Sequence, residues 1–281
     1  YIERYYQFVT MDDIIKAIYR GKELPKNSIL LTFDDAYAEH FSFVFPILED
    51  KKIQGCFFPP AQAIMENKVL DVNKLHFIIA SSPIKLLLED LFDILEKEKA
   101  NFSLESIEFY KKKYFKNHPW MHRNDSMEVG FFKIMLQVVL IEKLRNKVVD
   151  ILFKKHVSND EKGFSKQLYM SKDQMKCMIR NGMYFGSHGF SHSWLSDLSN
   201  ENKQREINLS LKFLNDIGAS TNNWVMCYPK GAYNDDLIKI LKENKCKVGL
   251  TTNADITELS LKNAFTLQRL DTNDLPKKEI Q

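Results

Sequence analysis

The feature that most constrains how this chain can fold is a series of short apolar runs with almost no polar interruption. They are Ser28 to Phe33, Gly55 to Phe58, Met183 to Ser187, Trp224 to Tyr228, Lys247 to Thr251 and Phe265 to Leu270. A strand with one wet face alternates apolar and polar residues, so continuous runs predict strands covered on both faces, as in a parallel sheet. Helical patterns separate them. Glu201 to Ile217 repeats Ile207, Leu211, Leu214 and Ile217 before stopping at Gly218, and Asn234 to Asn244 sets Leu237, Ile240 and Leu241 on one face. This alternation predicts an α/β fold, either a barrel or a doubly wound sheet.

The middle of the chain reads differently. From about Met65 to Ser165 strand signals are scarce, while Ile84 to Lys97 and Val138 to Phe153 are amphipathic with helical spacing. The expected organisation is one domain over residues 1–281 with a helical insertion at about 66–165. A chain of 281 residues can hold such a domain. Its 40 basic and 37 acidic side chains leave a net charge of only +3, which does not indicate a nucleic-acid partner. The four cysteines have no C-x-x-C spacing, and Cys56 and Cys227 lie inside apolar runs, as reduced core thiols do. That favours a cytoplasmic setting, or a secreted or envelope-associated one if a segment precedes Tyr1. Ile134 to Ile141 is too short to span a membrane. The oligomeric state is not legible.

Three stretches carry chemistry at strand ends, where α/β folds gather catalytic groups. In L-L-T-F-D-D-A the first run ends in Asp34 and Asp35. Adjacent carboxylates repel unless a cation or a shared proton intervenes. One of them binds a metal while the other acts as a base, or Asp35 caps a helix over Tyr37 to Phe45. In G-S-H-G-F-S-H, His188 and His192 stand four apart, a spacing that suits one metal ion but also occurs by chance on surfaces and in cores. In C-Y-P-K-G-A-Y-N, Pro229 and Gly231 favour a tight turn. It is a plain loop capped by Asn234, or a source of backbone donors for an oxyanion.

Taken in this order, the three stretches resemble the polysaccharide deacetylase family, carbohydrate esterase family 4. T-F-D-D at 32–35 is similar to its first motif, H-G-F-S-H to its second and Y-P-K-G-A-Y-N to a variant of its third. The approach from Met170 and G-C-F-F at 55–58 are similar as well. The resemblance covers about residues 1–65 and 165–275. It implies a distorted (β/α) barrel of about seven strands. It also implies one divalent metal held by Asp35, His188 and His192, commonly zinc, with cobalt, nickel or manganese as alternatives. Asp34 would be the base and the backbone N–H of Lys230 the oxyanion donor. The sequence departs from the family at four points. Ala36 follows the aspartates in place of Gly, Gly189 replaces a hydroxyl residue, the third motif lacks its Arg, and no histidine follows His192 to serve as general acid. In Q-R-L-D-T-N-D, Arg269 and Asp271 are candidates to orient Asp34 or bind substrate.

The implied reaction is removal of an acetyl or formyl group from an amino sugar of a polysaccharide or of its nucleotide- or lipid-linked precursor. Tyr228, Tyr233 and Trp120 are the candidate sugar contacts. Trp120 belongs to a basic and aromatic stretch, Tyr110 to Arg123, that reads either as a solvated helix face and loop or as a lip over the site. Two competing readings are a sugar-binding relic without turnover and an unrelated metallohydrolase such as a phosphoesterase.

Overall fold

The computed structural model describes residues 2–116 and 125–275. The chain packs into two compact units, residues 1–68 with 165–281, and residues 69–164.

In the first unit the described residues form seven short strands: β1 (Gln7–Phe8), β2 (Ser28–Ile29), β3 (Leu31–Asp34), β4 (Gly55–Phe58), β5 (Tyr184–Phe185), β6 (Val225–Cys227) and β7 (Val248–Leu250). Every pairing is parallel, in three patches: β1–β2, β3–β4–β5 and β6–β7. Single parallel bridges extend the order, Ser187 to Met226 beyond β5 and Leu250 to Leu267 beyond β7. The expected α/β class with parallel strands is therefore present, with its ladder broken into patches. The run Phe265 to Leu270, expected as a strand, makes only the Leu267 bridge. The pair Gln7–Phe8 forms a strand too short for its pattern to announce.

The continuous apolar runs are explained by two cores. In β4, Cys56 and Phe58 enter one buried cluster with Trp224, Val225 and Val248, while Phe57 points oppositely into another with Phe45, Met175 and Phe185. All four residues of β4 are buried. The surrounding helices begin and end where their sequences dictate. Thr10 and Asp13 form a capping box on Met11–Arg20, which ends at Gly21 in the left-handed region (φ 65°). Asn234 accepts the Leu237 N–H at 2.9 Å and starts Asp235–Glu243, whose buried face is Leu237, Ile240 and Leu241.

The second unit is helical, with Asp71–Ser81, Ile84–Phe102, Ile107–Tyr114, Met127–Ile134 and Glu142–His156. The helix expected over Val138 to Phe153 starts later, at Glu142. Leu140 and Ile141 are not helical, and Val138 and Ile141 are exposed. Leu144, Val148 and Leu152 do share its buried face. Polar groups stitch the helices together. Ser82 Oγ lies 3.0 Å from His156 Nδ1, and His156 Nε2 lies 2.7 Å from Asp90 Oδ2, which ties the C-terminal ends of Asp71–Ser81 and Glu142–His156 to the second turn of Ile84–Phe102. Lys74 is buried, with Nζ 2.5 Å from Asp150 and 2.8 Å from Glu161. Burial alone would lower its pKa, but the two carboxylates reverse this and raise it. Lys74→Ala is expected to destabilise the protein by about 2–3 kcal/mol, since charged hydrogen bonds of this kind contribute on that scale. Urea denaturation would show it, and an unchanged midpoint would refute it. No helix among the described residues is long and apolar enough to cross a membrane.

Candidate metal centre and base

The paired aspartates part company through backbone conformation. Asp34 is the last residue of β3, whereas Asp35 (φ 67°) and Ala36 (φ 57°) are both left-handed. L-residues adopt this region rarely and at a cost. The reversal is held by the Asp35 N–H, which donates to Phe58 O at the end of β4 (3.2 Å). Asp35 is not at the cap position of the following helical segment, which begins at Ala38 and is preceded by Tyr37.

Asp35 Oδ1 lies 3.7 Å from His188 Nε2 and 3.5 Å from His192 Nε2. These separations are too long for hydrogen bonds. They match the ligand–ligand edge of about 3.4 Å that a tetrahedral ion with bonds of about 2.0–2.2 Å imposes. His188 Nδ1 is 2.7 Å from the carbonyl oxygen of Cys227. A carbonyl can only accept, so Nδ1 carries a proton and Nε2 is the nitrogen turned toward Asp35, the usual outer support of a metal-bound imidazole. At His192, burial, followed by the charges of His188 and Lys230, pushes the pKa well below the ordinary range and keeps the ring neutral, as a ligand must be. One carboxylate and two imidazoles, which bind a metal in their neutral form, fit a single small divalent cation.

The loop carrying the histidines is pinned from behind. Gly189 (φ 72°) and His192 (φ 60°) are left-handed, and Glu206 accepts the N–H groups of Phe190 and Ser191, each at 2.9 Å. Ser187 Oγ accepts the Gly189 N–H at 3.1 Å and is 2.9 Å from Ser210 Oγ. A hydroxyl before His188 thus supports the loop that Gly189 cannot support with its own side chain.

Asp34 has a different partner. Arg269 grips it through two bonds, Nη1 to Oδ1 at 3.0 Å and Nη2 to Oδ2 at 2.8 Å, and anchors itself on Thr251 O (2.9 Å) and Thr32 Oγ1 (3.2 Å). Cys227 Sγ lies 3.4 Å from both carboxylate oxygens. Burial pushes that thiol well up, as does the charge of Asp34, so it stays protonated and donates. Burial would also raise the Asp34 carboxyl, but His188 and the Arg269 guanidinium outweigh it and hold the group at about 2. Asp34, His188 and Cys227 also lie close enough to share an ion. The guanidinium already occupying both Asp34 oxygens disfavours a cation there. Arg269 therefore separates the two aspartates chemically: one faces imidazoles, the other an arginine.

Residues 140–249 match the polysaccharide deacetylase family model, a span that includes His188, His192 and Lys230 but not Asp34 or Asp35. The resemblance to polysaccharide deacetylases is borne out. YxkH of Bacillus subtilis (strain 168), which bears the name of a polysaccharide deacetylase, is 27% identical over 84 residues, 30% of this chain and 30% of that one. The matched segment is thus under a third of that relative. Among solved structures, the deacetylase PplD of Streptococcus pyogenes, in complex with acetate, superposes with a TM-score of 0.56 at 16% identity, covering 95% of this chain and 74% of that one. The deacetylase domain of BpsB from Bordetella bronchiseptica gives 0.55 at 15%, covering 96% and 80%. IcaB from Ammonifex degensii gives 0.51 at 15%, covering 96% and 78%. At these identities the likeness is one of fold.

The turn expected to hold the oxyanion is tight. Lys230 (φ 57°) and Gly231 (φ 69°) are left-handed, and a Cβ on Gly231 would meet Thr252 Oγ1 at 2.2 Å. Gly231→Ala is therefore expected to cost at least ~1–3 kcal/mol through strain and overlap. A melting temperature within a degree of the parent would contradict this.

Two candidates from the polysaccharide deacetylase resemblance need correction. Tyr228 is fully buried, its hydroxyl donating to Phe265 O at 3.1 Å, so it packs the core and offers no surface to a sugar. Asp271 caps the short turn Thr272–Asp274, accepting from the Asn273 N–H and pairing with Asp274 in a capping box, which accounts for its position. Tyr233, half-buried, stacks on Tyr228 with ring centroids 5.2 Å apart. Trp120 lies outside the described residues. Sequence reasoning missed Glu206 and the polar role of Cys227. Glu206 carries no signal, being one acid among several on a helix. Cys227 sits beside Tyr228 at a strand end, where a polar role could have been suspected.

Proposed function

We propose that this chain is a metal-dependent hydrolase that removes an N-acyl group, acetyl or formyl, from an amino sugar of a polysaccharide or its nucleotide- or lipid-linked precursor. It would do so on a distorted (β/α) barrel with the helical unit as an insertion. The observation that carries this reading is the division of labour between neighbouring aspartates, Asp35 turned to two imidazoles and Asp34 to Arg269.

Asp35, His188 and His192 would hold the divalent ion, most simply zinc. Bound there, it would lower the pKa of water and polarise the amide carbonyl. Asp34, ionised and fixed by two guanidinium bonds, accepts the proton of the attacking water at one carboxylate oxygen. The Lys230 backbone N–H would stabilise the oxyanion. Residues 193–281 hold no histidine to protonate the leaving amine. Asp34 can fill that role: having taken a proton from water it becomes a strong acid, and returning that proton to nitrogen as the C–N bond breaks balances the reaction.

Acetate and formate release from N-acylated amino sugars tests the reading, with the protein stripped of metal and then reloaded with zinc or cobalt. Release that depends on the metal and is abolished by Asp34→Asn is the expected result. Sugar binding with no release at any metal loading would point to a binding protein and overturn the proposal.

A further inference from the structure

The helix Ile107–Tyr114 packs inward through Ile107 and Tyr110, which are buried. Helical spacing then turns Glu108, Phe109, Lys112 and Lys113 outward, and all four are exposed. Lys111 and Lys116 are exposed as well, so four lysines fall within residues 111–116. Two rings without a polar atom frame them, Phe109 at 41% exposure and Phe115 at 39%. Nothing in the hydrolase reading uses this face.

The four lysines are not spent on carboxylates. Among the described residues, the ion pairs of this helical unit engage Lys74, Lys99, Lys133, Lys147 and Lys155 instead. Lys111 Nζ lies 4.6 Å from the centroid of the Phe92 ring, and Lys113 Nζ 5.4 Å from that of Phe109. A ring draws an ammonium over its face without cancelling its charge. Alkyl stems and rings thus make one apolar layer edged by positive charge. Glu108 is the one acid on the helix and Glu105 precedes it, so residues 105–116 keep a positive surplus. A helix lying on a bilayer presents this combination, rings for the headgroup boundary and lysines for anionic phosphates. Duplex nucleic acid would engage the lysines through its phosphates and leave the rings idle.

We propose that the outer face of Ile107–Tyr114, with Phe115 and Lys116, docks on an anionic phospholipid surface. The docking is independent of any reaction at Asp35, His188 and His192. Co-sedimentation of the full chain with vesicles tests it, comparing phosphatidylcholine alone with a phosphatidylcholine–phosphatidylglycerol mixture at low salt. Binding roughly tenfold or more tighter to the anionic vesicles is expected, since each lysine near a charged leaflet contributes a factor of about five. Raised salt should weaken it. Changing three lysines together, Lys111→Gln, Lys112→Gln and Lys113→Gln, should remove the preference. Phe109→Ser should weaken binding several-fold with the charge unaltered. These side chains are exposed, and a circular-dichroism melt matching the parent confirms that each variant is folded. Equal binding to both vesicles, a preference that survives in the triple variant, or binding indifferent to Phe109→Ser overturns the proposal. A duplex oligonucleotide bound more tightly than the anionic vesicles, and released by the same lysine changes, would assign the face to nucleic acid and overturn it too. So would vesicle-free self-association lost in Phe109→Ser, which would make the face a contact with a second copy.

Discussion

Asp34→Asn is expected to lower deacylation by about 10²–10⁴-fold, the range that a positioned base contributes. The substitution keeps the shape of the side chain and removes its ability to take a proton. It also sets an amide NH2 against a guanidinium that now donates to both carboxylate oxygens. One of the Arg269 bonds must therefore be lost, and some stability with it, about 1–3 kcal/mol. Metal content separates the two effects, since Asp35, His188 and His192 are untouched. The expected variant is folded, carries the metal at parental stoichiometry and is nearly inactive. More than a tenth of the parental rate in that variant would remove Asp34 from its assigned role.

The two histidines should fail differently. Either His188→Ala or His192→Ala removes one of the three proposed protein ligands. Zinc sites of four ligands bind with about 10–16 kcal/mol, so losing one should weaken the metal by on the order of 10²–10³-fold. His188 has a second duty: its Nδ1 serves the carbonyl of the buried Cys227 at 2.7 Å. Removing it should strand that carbonyl and cost the metal-free protein a further ~1–3 kcal/mol, whereas no such bond is lost with His192. Chemical denaturation in the presence of a chelator measures that difference. Identical metal-free stabilities for the two variants would show that the Cys227 contact contributes nothing.

Much of the site was legible because its chemistry lies at the ends of runs whose pattern is plain. Asp34 ends β3 and Asp35 follows it, His188 and His192 follow β5, and Arg269 follows the Leu267 bridge. Period and composition locate such ends well. They do not say which way a side chain turns once the strand has finished. Tyr228 therefore looked like a surface aromatic beside a turn, although a Cβ on Gly249 would stand only 2.4 Å from its hydroxyl, a closeness that marks it as core. Asp271 could not be told from a ligand-facing acid because an N-cap and a functional carboxylate share one residue type. The helix over Glu142–His156 was placed too early because Val138 and Ile141 fit its apolar stripe; a break at Leu140 leaves both exposed. Glu206 acts through two amides of a distant loop, a relation no local spacing encodes.

The pairing of Arg269 with Asp34 joins residues 235 positions apart. A chain emerging from the ribosome exposes Asp34 long before the Arg269 that grips it. Until the segment after β7 docks, Asp34 lacks the guanidinium, and the Thr251 and Thr32 anchors have nothing to hold. The pairing at Asp34 thus waits on the segment that carries Arg269. Trimming the segment from Phe265 onward should silence the site even in molecules whose earlier strands have already paired.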